Sequence, residues 1–186
     1  MSLAAVPTAT ADIDWARWAP RERATLVFVV ERGCVLLIRK KRGLGAGKIN
    51  GPGGRIDPGE TPLECATREV EEELCVRPRG LSVRGELAFQ FVDGYSLFVY
   101  VFAASGHDGE PTETPEASPL WVPVGAVPYE QMWADDALWL PRLLAGEPFG
   151  GRFVFDGDAM LDHRVWTPGA EEFRALANSV LLPGLI

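Results

Sequence analysis

A glycine-rich run that ends in a strongly capped, three-glutamate helix constrains this chain more than any other feature. Between Gly43 and Gly59 glycine recurs so often, with Pro52 and Pro58 among it, that a loop with no regular element is expected. Loops of that length inside a compact domain usually carry function. Helix signals follow at once. Thr61 can N-cap, Pro62 takes the first helical position and Glu64 closes a capping box, predicting a helix from Pro62 to about Leu74. Leu63, Ala66, Val70 and Leu74 recur at helical spacing as its buried stripe. Glu69, Glu72 and Glu73 stand at i, i+3 and i+4 and share a face expected to point well away from that stripe. Three clustered carboxylates repel one another. Ordinary solvation of an acidic helix face is one resolution, and a hard divalent cation, Mg²⁺ or Mn²⁺, among oxygen ligands is the other.

The remaining chain reads as one mixed domain. Thr25–Val30 and Cys34–Ile38 alternate around the Glu31-Arg32-Gly33 turn as a hairpin, and Leu87–Phe91 and Leu97–Ala104 read as a second strand pair. An acidic, Pro-rich loop is expected over Gly106–Pro119, then a short strand, Leu120–Val122. A second helix is expected over Asp135–Leu144, a late hairpin at Asp156-Gly157, and a short helix within Ala170–Leu182. Residues 1–20 read as a loose arm, 21–165 as the domain and 166–186 as a tail. With 18 basic and 26 acidic side chains the net charge is −8, which disfavours a nucleic-acid polymer or an anionic membrane as partner. A small polyphosphate stays compatible, because a bound cation screens charge locally. Cys34, Cys65 and Cys75 form no CxxC pair and suggest reduced thiols; with no signal-peptide pattern at the front, a cytoplasmic protein is expected. Only His107 and His163 are available for an imidazole metal site, and both read as structural or surface residues.

From Gly54 the chain runs Gly54-x5-Glu60-x7-Arg68-Glu69-Val70-x-Glu72-Glu73-x-Cys75-Val76, which resembles the Nudix box, the metal- and diphosphate-binding signature of the Nudix superfamily. Every defined position matches except one, where the family's glycine is Cys75. The resemblance implies an α+β fold, a mixed sheet sandwiched between helices (an α/β/α sandwich), and hydrolysis of a nucleoside diphosphate linkage. It also implies a metal held by Glu69, Glu72, Glu73, the Gly53 backbone and Glu116, with Glu72, Glu73 or Glu116 as general base and Arg68 holding Glu72 or Glu60 in place. A glycine at 75 would supply a left-handed C-cap, so a cysteine there is expected to cost on the order of 1 kcal/mol without removing a ligand.

The similarity extends beyond the box. Lys40–Gly54, Met132–Pro141 and Gly151–Gly157 resemble segments of Nudix hydrolases that act on oxidised purine nucleoside triphosphates. That resemblance implies a base pocket in which Asn50 bonds the purine edge, Trp133 stacks on its face, and Asp135 and Asp136 read its polar edge. Thr25, Phe89, Phe91 and Leu97 would line the walls and Lys40 would meet the phosphates. Leu44, Ile49 and Pro52 replace larger aromatic residues and alter the pocket's shape. Bland readings stand beside these: a core aromatic at Trp133, a half-buried strand at Phe89 and Phe91, helix-opening acids at Asp135 and Asp136. The expected reaction is water attack on phosphorus, giving nucleoside monophosphate and pyrophosphate, by a protein expected to be monomeric. The alternatives are cleavage of another X-diphosphate, such as ADP-ribose or a dinucleoside polyphosphate, or a nucleotide sensor that does not hydrolyse.

Overall fold

The computed structural model describes residues 6–183, so the outermost ends of the two expected tails lie outside the described residues. In chain order the elements are β1 (Glu22–Glu31), β2 (Cys34–Lys40), β3 (Ile49–Asn50), α1 (Pro62–Leu74), β4 (Arg77–Arg79), β5 (Ser82–Phe91) and β6 (Ser96–Ala104). They continue with β7 (Gly106–Asp108), β8 (Ala117–Pro123), α2 (Asp136–Leu144), β9 (Phe149–Asp156), β10 (Ala159–Trp166) and α3 (Ala170–Ser179). β1 turns into β2 through Arg32 and Gly33, both at positive φ. The main sheet runs β10-β9-β5-β6-β1-β2-β3, with β8 also on β2, and it is mixed: β1 lies parallel to β6 and β5 parallel to β9. β4 and β7 form a small separate sheet.

Two apolar layers sandwich the sheet, as period-2 strands facing helices on both sides require. On one face Phe28, Leu87, Val99, Phe149 and Phe153 pack with Trp139, Leu140 and Leu143 of α2. On the other, Val27, Val29, Leu36 and Phe102 pack with Ala66, Val70 and Leu74 of α1 and Leu176 of α3. α1 begins and ends where its capping signals place it: Glu64 N–H donates to the Thr61 hydroxyl at 3.1 Å, and the Glu64 carboxylate accepts from Thr61 N–H at 2.8 Å.

Several expectations need correction. The Gly43–Gly59 stretch is not wholly irregular. β1 and β2 stay paired only from Val29 and Leu36 to the turn, and the loop fills the gap beyond. β3 pairs with Ile38 and Arg39, and then Pro52 and Gly54 accept from Val27 N–H and Thr25 N–H at 2.8 and 2.9 Å. This close approach explains the glycines, since a Cβ on Gly53 would sit 2.0 Å from the Thr25 carbonyl oxygen. The 106–119 loop gives up both ends to β7 and β8, because each finds an open ladder partner. Residues 6–20, expected to be loose, pack against the β9–β10 hairpin: Thr10 N–H and hydroxyl both donate to Asp162, at 2.6 and 2.7 Å, and Arg152 lies over the Trp15 ring at 4.9 Å.

Candidate active site

A cleft of about 500 Å³ runs from the Gly53-Gly54 loop and α1 to the α2 side of the sheet. Its walls bring together Thr25, Lys40, Asn50, Gly53, Glu69, Glu73, Phe89, Phe91, Leu97, Glu116, Trp133, Asp135 and Asp136. Arg68 and Glu72 stand outside that lining. Residues as far apart in the chain as Ala24 and Phe155 converge here.

The acidic end is organised by cations. The Arg68 guanidinium donates from Nε and Nη2 to the two Glu60 oxygens at 2.8 and 2.9 Å, and from Nη1 to Glu69 at 2.7 Å and Glu72 at 3.1 Å. Both expected partners are thus engaged at once, and Glu69 with them. This fork holds Glu60 below the usual carboxylate range. Arg68 is therefore a positioning residue for the box carboxylates. The expectation that all three box glutamates share one solvent face fails. Glu72 is 56% exposed, whereas Glu69 is 13% and Glu73 2% exposed. Glu73 follows the stripe inward because it stands three residues after Val70 and seven after Ala66, and it lies beneath the Gly-rich loop. Its Oε2 accepts from Gly53 N–H at 2.9 Å, and Lys40 Nζ stands 3.7 Å from Oε1. Burial pushes the Glu73 pKa up to about 7, Lys40 and the Gly53 N–H oppose this, and Glu69 and Glu116 raise it further. Glu116 is paired with Arg42. Gly54 is small for a reason: a Cβ there would lie 2.4 Å from the Glu69 carboxyl.

As arranged, no three carboxylates among the described residues converge on one point. The donor set nevertheless suits a hard cation. The cleft is lined by the carboxyl-bearing Glu69, Glu73 and Glu116, and the nearby thiol, Cys65, is pushed up to about 12 by burial and stays protonated.

The other end is aromatic with two buried acids. Phe89 stacks on Phe153 at 5.2 Å, Phe91 packs on Phe155, and Trp133 meets Phe155 edge-on at 5.8 Å. Lys48 Nζ lies 4.8 Å from the Trp133 ring centroid. Asp135 and Asp136 are each 2% exposed. Asp135 accepts from the Trp139 indole N–H at 2.9 Å, and Asp136 accepts from the Trp133 backbone N–H at 3.0 Å. The helix-cap reading is thereby narrowed: Asp135 is the N-cap residue yet makes no side-chain cap bond. Burial raises both pKa values, and the charge of Asp135 raises Asp136 further. Asn50 lines the cleft and accepts from Gly51 N–H through Oδ1 at 2.8 Å, and its amide N–H₂ makes no hydrogen bond among the described residues. Thr25 lines the cleft, but its hydroxyl is engaged with the Cys65 thiol at 3.3 Å. Phe155 and Tyr95 also line the cleft and were not singled out from the sequence. The alternation Phe153-x-Phe155 carried a signal for the first; nothing marked Tyr95, which enters from a turn.

Comparison with known proteins agrees with this geometry. The NUDIX domain family model matches residues 20–143. The chain is 43% identical over 143 residues to an oxidized purine nucleoside triphosphate hydrolase of Danio rerio, covering 76% of this chain and 92% of that one. It is 40% identical to the mouse (Mus musculus) protein of the same name, over 75% and 90% of the two chains. Among solved structures, a mutator MutT protein from Bacillus halodurans aligns with a TM-score of 0.68 at 27% identity, covering 77% of this chain and 97% of that one. With its box helix, loop and cleft in one place and the family model spanning two thirds of its length, this chain belongs to the Nudix family.

Proposed function

We propose that the protein hydrolyses oxidised purine nucleoside triphosphates, such as 8-oxo-dGTP, to the monophosphate and pyrophosphate, so clearing damaged precursors. The observation that carries this reading is a single cleft joining an aromatic pocket with two buried aspartates to a carboxylate-rich loop and helix. The relatives named as oxidized purine nucleoside triphosphate hydrolases support it. Nudix hydrolases generally need a divalent metal, and Mg²⁺ is the ion we assign. Glu69, Glu72, Glu73, Glu116 and the Gly53 backbone would hold it. When bound, the ion supplies charge neutralisation on the phosphates and an acidified water.

The chain's own groups do the rest. Trp133, Phe89 and Phe91 offer flat apolar faces to the base, and Asn50 and the Asp pair read its edges. Lys40 draws the polyphosphate toward the box, and Arg68 keeps Glu60, Glu69 and Glu72 aimed. The α1 N-terminus and the loop's backbone N–H groups add positive potential. We further propose a monomer in the reducing cytoplasm, in keeping with three free cysteines.

The test is pyrophosphate release with Mg²⁺ across a panel of oxidised and normal purine triphosphates, ADP-ribose and diadenosine polyphosphates. A specificity constant highest for an oxidised purine triphosphate is expected. Preference for ADP-ribose or a dinucleoside polyphosphate, or binding without turnover, would overturn the reading.

A further inference from the structure

A second cavity, of about 260 Å³, lies on the sheet face opposite the base cleft. Strand alternation places it there. Leu87, Phe89, Leu97 and Val99 face the α2 layer, while Glu86, Ala88, Phe98 and Tyr100 point the other way and form this cavity's floor. Its roof is Trp15 and Trp18 of the N-terminal arm, and Trp166 closes one side. Trp15, Trp18, Arg152 and Trp166 fall outside the stretch matched by the family model, whereas Glu86, Ala88, Phe98 and Tyr100 of the floor fall within it.

Its chemistry is unusual for a packing void. The three indole N–H groups are already committed, to the Thr10 carbonyl, Gln90 and Glu172 at 2.8, 2.9 and 3.0 Å, so the rings offer only their faces. Trp166 lies tight on the sheet because residue 150 is glycine; a Cβ there would meet its ring at 2.3 Å. The Arg152 guanidinium packs against Trp15 at 4.9 Å and Trp166 at 5.3 Å, which leaves its in-plane N–H edge as its reach. Neither Arg152 nor Glu86 has a side-chain hydrogen bond or ion pair among the described residues, although both are partly desolvated. A donor fork and a carboxylate without protein partners keep their hydrogen-bonding capacity free for a ligand that matches both.

We propose that this cavity is a second ligand site, taking a guanine base or a planar heterocycle of the same hydrogen-bonding pattern. The N1–H and N2–H₂ donors of guanine suit the Glu86 carboxylate, its O6 and N7 acceptors suit the Arg152 fork, and its faces suit the aromatic walls. Adenine fails the first match, because its ring N1 would set an acceptor against Glu86.

The experiment is calorimetric titration of guanosine and adenosine into the full chain carrying Trp133→Ala, which disables stacking in the base cleft. Guanosine is expected to bind at one site, at least tenfold more tightly than adenosine. Adding Glu86→Gln should weaken guanosine at least tenfold, since Gln turns a donor toward the ligand's donors, and Ala88→Leu should abolish binding by filling the floor. Melting curves identify any variant that fails to fold, and Glu86→Gln keeps shape and volume. Loss of all guanosine binding in Trp133→Ala, equal binding of adenosine, or indifference to Glu86→Gln would each overturn the proposal. None of these bears on turnover at the other cleft, so the two readings fail separately.

Discussion

At the scale of single residues, the box glutamates divide by exposure. Glu73 and Glu69 are sunk under the Gly-rich loop, whereas Glu72 is exposed and, among the described residues, tethered only by Arg68. Glu72→Gln keeps shape and removes one charge without opening a cavity. Turnover at saturating Mg²⁺ should therefore drop at least about a hundredfold with melting temperature nearly constant. Near-normal turnover would remove α1 from the metal site. Cys75 is the residue where the box departs from the family pattern, and it does occupy the left-handed region, at φ 59° and ψ 25°, while its N–H caps Glu71. Its side chain is exposed, so no packing offsets the strain. Cys75→Gly should raise stability by roughly 1 kcal/mol, read from denaturant midpoints, with kcat unchanged. A lower midpoint would mean that the cysteine gains more in contacts than its backbone loses.

At the scale of elements, the start of α2 is the point where stability meets the base reading we propose. Burial is the larger cause of the raised pKa values there, and for Asp136 the charge of Asp135 comes second. The sign follows. Because the folded pair holds protons more tightly than the unfolded chain, the stability it contributes is full below the ordinary carboxylate range. That contribution is lost as pH rises through the raised folded values. Asp135→Asn and Asp136→Asn should therefore flatten the stability-pH curve above that range. In the base reading we propose, an oxidised guanine turns a carbonyl acceptor toward the pair, so its affinity should also weaken as pH rises and one aspartic acid loses its proton. We expect both variants to change the ratio of kcat/KM for oxidised guanine and oxidised adenine substrates more than they change the Mg²⁺ requirement. Unchanged ratios and pH profiles would reduce the pair to partners of Trp139 and Trp133.

At the scale of the whole molecule, the arm and the β9–β10 hairpin act as one clasp across the sheet. Thr10 bonds Asp162, and Trp15 covers Arg152. Trp15→Ala removes a buried ring face and a cation–π contact, and should cost about 1–3 kcal/mol, measured by chemical denaturation. No loss would show that the arm rests on the sheet without holding it. Chelation with EDTA should abolish pyrophosphate release, and added Mg²⁺ should restore it, with circular dichroism unchanged throughout. Turnover that persists in EDTA would remove the metal from the mechanism.

Local signals in the sequence determined α1 to the residue, because capping box, N1 proline and apolar spacing all act within one or two helical turns. They also determined the two main strand pairs, each a matter of neighbours in the chain, whereas the left-handed turn at Cys75 was legible through the glycine that the Nudix box has at that position. The cleft's membership was legible only through the resemblance to the Nudix family, since nothing local ties Asn50 to Asp136. Tertiary structure alone decided the rest. Glu73 is buried because the loop folds over it, β3 exists because β1 and β2 diverge, and the arm is docked because the late hairpin offers Asp162 and Arg152. Each depends on a partner distant in sequence, and burial and pairing between distant segments are set by packing, which no local periodicity encodes.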